Sequence, residues 1–220
     1  MIWGDVLEAL LMYLSNVLII ISFICYFIVL FFGSRVKVTN SNGFDVTKGI
    51  ISEYDSINVI ESKSYFTIYN IKRKVIKLSS MCYYGNNISA ITLSLLEAGI
   101  SIVDKKGNKY IDLFKKLFSN LKILYLFSGL SILINNVTYT VGDVRVGIVF
   151  IVMFTIISYM LFDIKNNAYI WISDNIKTVN GINKINSMKI LNFIDKFLLI
   201  DKLIFLGELL IIVRFFSILL

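Results

Sequence analysis

Tyr69-Asn70-Ile71-Lys72-Arg73-Lys74-Val75-Ile76-Lys77-Leu78-Ser79 and, after a short polar link, Asn87-Ile88-Ser89-Ala90-Ile91-Thr92-Leu93-Ser94-Leu95-Leu96-Glu97-Ala98-Gly99-Ile100-Ser101-Ile102-Val103 decide the fold. The first segment ends in a basic, β-branched run that alternates apolar and charged residues, the pattern of a half-buried strand. The second is an apolar helix of about four turns, with Asn86 or Asn87 as its N-cap and Gly99 interrupting otherwise good helix formers.

Within that helix, Leu96 and Ile100 stand one turn apart, so their side chains share a face. With imidazoles at those two positions the segment would be a zinc-peptidase helix, two ligands flanking a glutamate that activates water. Here both positions are aliphatic, and the chain contains no histidine.

The likeness extends beyond five residues. Tyr69, Lys74, Val75, Leu78, Ser79, Tyr83, Ile88, Ala90, Ile91, Glu97, Gly99 and Ile102 fall without a gap on the pattern of another family. On these residues the chain resembles the YugP-type bacterial membrane-bound neutral zinc metallopeptidases. The resemblance implies a zincin-like module held against a membrane, with Glu97 at the general base. Leu96 and Ile100 would then occupy two of the metal positions. Asp163 lies roughly where the family places a downstream glutamate ligand, with Lys165, Asn166 and Asn167 in place of a short asparagine-containing motif.

Composition agrees with a membrane setting. Of 220 residues, 57% are hydrophobic and 17% charged, too apolar for an ordinary soluble domain. Two cysteines, Cys25 in an apolar run and Cys82 in a polar region, make no disulfide framework and are expected as unpaired thiols. The net charge of +7 is concentrated: residues 35–122 hold 14 Lys or Arg against 7 Asp or Glu. Lysine and arginine gather on the cytoplasmic side of membrane segments, which explains the surplus better than nucleic-acid binding.

Residues 9–34 carry no charge and are long enough to span ~30 Å of hydrocarbon. Asp5 and Glu8 precede them and no small-residue cleavage site follows, so the segment reads as a permanent anchor rather than a leader. Arg35 and Lys37 then put the N-terminus outside and residues 35–122 in the cytoplasm. In that region a helix over 42–54, started near Asp45, and strands over 57–61, 65–69 and 74–78 are expected beside the 87–103 helix. A further helix is expected from about Tyr110.

The second span is expected over 123–142 and the third over 146–162, with Asp163 and Lys165 marking the cytoplasmic exit. Asn136-Val137-Thr138 fits a glycosylation acceptor but lies too near the membrane for that role. Residues 163–202 hold six Lys and four Asp, and Ile176, Val179, Ile182 and Ile185 recur at helical spacing. One or two amphipathic cytosolic helices packing under the first module are expected there. Residues 203–220 form the fourth apolar segment, with Glu208 and Arg214 as intramembrane polar residues. Six positions give about 9 Å of rise and roughly opposed faces, so direct pairing is not expected and snorkelling to opposite interfaces is.

The expected class is therefore an α-helical membrane protein with about four transmembrane helices and a small cytosolic α+β zincin-like module. Its divisions are 1–34, 35–122, 123–162, 163–202 and 203–220. A catalytic zinc needs three protein ligands and an open position. Glu97 and Asp163 do not supply them, so neither a metal nor another cofactor is expected, and Glu97 is vestigial. It is either solvated at the old cleft mouth or held by a lysine or arginine. The expected function is that of a pseudopeptidase in a bacterial inner or plasma membrane, binding lipid and other membrane subunits, an active paralogue among them. Two alternatives are a channel or transporter component using Glu208 and Arg214, and a peptidase subunit whose metal donors come from a partner chain.

Overall fold

The computed structural model describes residues 2–52, 56–111, 144–178 and 182–219. The elements run α1 (Ile2–Ser34), α2 (Gly43–Ile51), β1 (Asn58–Ser62), β2 (Ile68–Asn70), β3 (Val75–Ser79), α3 (Ser80–Tyr84), α4 (Ile88–Lys105), α5 (Val144–Asn175), one 3-10 turn (Ile176–Thr178) and α6 (Lys184–Leu219). The chain divides into two compact units. The apolar unit takes Met1–Tyr26, Ile123–Phe162 and Leu199–Leu220; the mixed module takes Phe27–Lys122 and Asp163–Leu198.

In the module, β3 is the central strand of a three-stranded sheet ordered β1-β3-β2. It pairs in parallel with β1, from Asn58 opposite Val75 to Ser62 opposite Ser79. Its other side pairs antiparallel with β2, from Ile68 opposite Lys77 to Asn70 opposite Val75. The alternation of β3 buries Ile76 and Leu78 completely while Val75 and Lys77 keep partial exposure, as the sequence pattern requires. The β2–β3 turn closes where Asn70 Oδ1 accepts from the Arg73 N–H at 3.0 Å. Lys74 completes it in the left-handed region at φ 51°, which is strained for a residue with a Cβ.

Helix α4 begins where its cap predicts: Asn87 Oδ1 accepts from the Ala90 N–H at 2.8 Å. Ile91, Leu95, Ala98 and Ile102 have no exposure, and three of the helix's buried hydroxyls reach carbonyl acceptors while that of buried Thr92 has no hydrogen-bond partner among the described residues. Ser94 and Ser101 donate to the carbonyls of Ala90 and Ala98, and Ser89 donates to Leu30. Gly99 does not interrupt the helix. A Cβ there would meet the Ala168 Cβ, the Ala168 carbonyl and Ile172 Cδ1, each at 3.1 Å, so the missing side chain lets α4 lie close against α5.

Several expected boundaries move. The first short helix is capped by Asn42, whose Oδ1 accepts from the Asp45 N–H at 2.8 Å, and it ends at Ile51. Tyr65 and Phe66, expected in a strand, lie in the loop before β2 and are 97% and 60% exposed. Asn108 caps the turn at Tyr110 at 2.9 Å, and the helix expected beyond residue 111 lies outside the described residues. Of the spaced apolar series, Ile176 and Ile182 are buried, Ile185 is exposed, and Val179 lies outside the described residues.

The apolar unit draws on α1, α5 and α6. Among the described residues one helix, Val6–Ser34, is long and apolar enough to cross a membrane. It leaves Leu10 and Phe27 exposed on its surface, as a lipid-facing helix does. The expected 123–142 span lies outside the described residues. The segments expected as separate spans over 146–162 and 203–220 instead belong to the longer helices α5 and α6. α5 continues through Asp163 and Lys165 to Asn175, because neither residue breaks a helix, and the boundary between the two units falls between Phe162 and Asp163.

Candidate functional site

Glu97 projects from the middle of α4 toward the sheet. Its Oε2 accepts a 2.6 Å hydrogen bond from the backbone N–H of Tyr69 on the edge strand β2. Part of its surface reaches solvent, yet enough protein surrounds the carboxylate to raise its pKa from 4.5 to about 7. Burial is the larger cause, partly offset by the Tyr69 N–H and by the positive charge of Lys165. Glu97 is thus neither freely solvated nor held by a cation alone: its hydrogen-bond partner is a main-chain donor.

Tyr69 binds α4 a second time. Its phenol donates to Asp104 Oδ2 at 2.7 Å, and both side chains are buried. Burial raises the phenol's pKa first, and the hydrogen bond to Asp104 adds to the shift. Glu97 and Asp104 are seven residues apart, two turns on one helix face, so a single residue of β2 grips both acids. That spacing was visible in the sequence, but the strand residue that answers it was not. Cys82 is buried and Cys25 half-buried, both free thiols. Burial raises the Cys82 pKa, which works against a reactive thiolate.

The two positions that the family resemblance assigns to metal ligands carry aliphatic side chains. Leu96 is 8% exposed and Ile100 2%, both packed into the module. Asp163 accepts from the Asn167 side-chain amide at 3.0 Å, one turn further along α5. Among the described residues, no group of three His, Cys, Asp or Glu side chains is placed to hold a metal ion. The described residues do not fit a zinc ion, which needs nitrogen, sulfur or oxygen donors on three sides.

Glu208 and Arg214 lie in the apolar unit. Both are buried among the helices of this unit, at 0% and 1% exposure. They do not pair with each other, as their spacing predicted. Arg214 instead forms an ion pair with Glu8 of α1 at 3.1 Å. Glu208 has Ser158 of α5 as a polar neighbour. The adjacent Gly207 lets α6 approach α1, since a Cβ would meet Ile19 Cγ1 at 2.6 Å.

Glu97 lies on a buried helix that faces a small mixed sheet. The family model described as "Putative neutral zinc metallopeptidase" matches residues 10–194, and the chain belongs to that family. No curated protein and no solved structure matches it. The family resemblance read from residues 69–102 is borne out.

Proposed function

We propose that this chain is a membrane pseudopeptidase: a member of the zinc metallopeptidase family that keeps the scaffold and serves as a binding or structural subunit of a membrane complex. The observation that carries this reading is the pair Leu96 and Ile100, aliphatic and buried where the metal ligands would stand. Without a Lewis acid, Glu97 has no water of lowered pKa to direct at a peptide carbonyl. Its carboxylate is engaged by the Tyr69 N–H instead, in a structural bond. The vestigial Glu97 and the degenerate positions Leu96, Ile100 and Asp163 belong to this proposal.

The reading includes an integral protein of a bacterial inner or plasma membrane, anchored by α1 and crossing about four times. The N-terminus is outside and residues 35–122 and 163–202 are cytoplasmic, as their basic surplus supports. Metal analysis of the purified full-length protein tests it. The expected result is zinc far below one ion per chain, and stoichiometric zinc retained through chelator-free purification would end the proposal.

A second reading, a channel or transporter component, draws support from the complete burial of Glu208 and Arg214 among apolar helices. Replacing both by leucine separates the two. Loss of solute flux in reconstituted vesicles, with partner binding kept, favours transport. Unchanged co-purification with no flux in the wild type favours the pseudopeptidase.

A further inference from the structure

Just past the end of α1, the module contains an open cavity of about 380 Å³ lined by Lys37, Thr39, Asn40, Asn86, Asn183 and Asn186. Its frame is built by main-chain bonds. The Val38 N–H donates to Asn86 at 3.2 Å, the Ile88 N–H donates to Val36 at 2.8 Å, and Lys37 bridges Asn87. From the other side the Asn186 amide donates to the Val38 carbonyl. Asn183 caps the start of α6, accepting from the Asn186 N–H at 2.8 Å.

The lining has a consistent chemistry. It offers one ammonium, a hydroxyl and four amides, with no carboxylate among the lining residues. The N-terminal end of α6, a 36-residue helix, adds the positive end of a helix dipole. Such a set suits a ligand carrying a phosphate and neighbouring hydroxyls. Chain length says where that ligand lies. Lys37 follows Ser34, the last residue of α1, by three positions, at most about 10 Å of extended chain. If α1 lies in a bilayer, this falls within or beside the headgroup layer, roughly 5–8 Å deep on each side.

We propose that this cavity binds the phosphate-bearing headgroup of an anionic lipid, with Lys37 supplying the charge and the asparagines the orientation. The inference rests on α1 as a membrane span, a part of the functional reading above. It adds a lipid site that would serve the protein whether or not it cleaves peptides.

The test is native mass spectrometry of the full chain released from detergent, loaded with phosphatidylglycerol or with phosphatidylcholine, for wild type, Lys37→Gln and Lys37→Arg. The expected result is selective retention of phosphatidylglycerol. Lys37→Gln should weaken it about tenfold, the loss of one charge-assisted hydrogen bond, and Lys37→Arg should restore it. Equal retention of the two lipids, or no change in Lys37→Gln, overturns the site. Displacement of the lipid by millimolar inorganic phosphate overturns the lipid source in favour of a free anion. Carbonate extraction of membranes is run in parallel. Protein that washes off refutes the span itself, whereas protein that stays without lipid selectivity refutes only the headgroup site.

Discussion

Two helices of this chain each hold a glutamate against protein, Glu97 half-buried and Glu208 fully buried, and they do so by different means. In the module, Glu97 of α4 meets a backbone donor from an edge strand 28 positions earlier, and a lysine from α5 adds its charge. In the apolar unit, Glu208 of α6 has a serine hydroxyl nearby but no hydrogen-bond partner within bonding geometry among the described residues, while the arginine six positions on pairs with Glu8, 206 positions away. The difference teaches what each acid does. A carboxylate held by a main-chain N–H joins a helix to a sheet, and the bond forms whatever side chain the strand carries at that position. A carboxylate enclosed by helix surfaces has no such structural duty in view, and is the one to question for function.

The largest effect comes from parting α4 from α5. Gly99→Leu drives a branched side chain into the Ala168 backbone and Ile172, and should cost about 3 kcal/mol. Limited proteolysis in detergent should show cuts within 58–105 while residues 6–26 stay protected. If both units open together, the contrast between them is lost.

Next is the grip of Tyr69. Tyr69→Phe keeps the N–H that Glu97 accepts and removes the phenol that Asp104 accepts, so about 1–2 kcal/mol should go, read as a lowered Tm. A loss below about 0.5 kcal/mol would mean that the Asp104 bond contributes little beyond what water supplies.

The smallest effect is a slope with pH. Because the folded pKa of Glu97 lies above its ordinary 4.5, the protonated acid is favoured by the fold. Its contribution is full below about pH 4.5 and fades as the pH rises through about 7. Glu97→Gln retains an acceptor oxygen for Tyr69 and cannot titrate. Its Tm should therefore vary less between pH 5 and 7 than the wild type's, and parallel curves would show that Glu97 does not titrate there.

Much of the module was legible because its signals are local. Asn87 announces the start of α4, and the alternation of Val75 to Ser79 announces β3. Where a signal was absent or local chemistry misled, the boundaries slipped. Tyr65 and Phe66 have strand-forming side chains, yet they lie in an exposed loop, since β propensity reflects packing partners that these two lack. Gly99 looked like a flaw in a helix and is a contact surface.

By itself the sequence determined the family, the capped helix and the apolar length of α1. Each is written in residue type and spacing along one segment. Only the tertiary structure decided that Tyr69 holds Glu97 and Asp104, that Ala168 answers Gly99, and that Arg214 finds Glu8. Those pairings join residues separated by tens or hundreds of positions. Hydrogen bonds and close packing depend on ångström-scale distances, which spacing along the chain does not encode until the chain has folded.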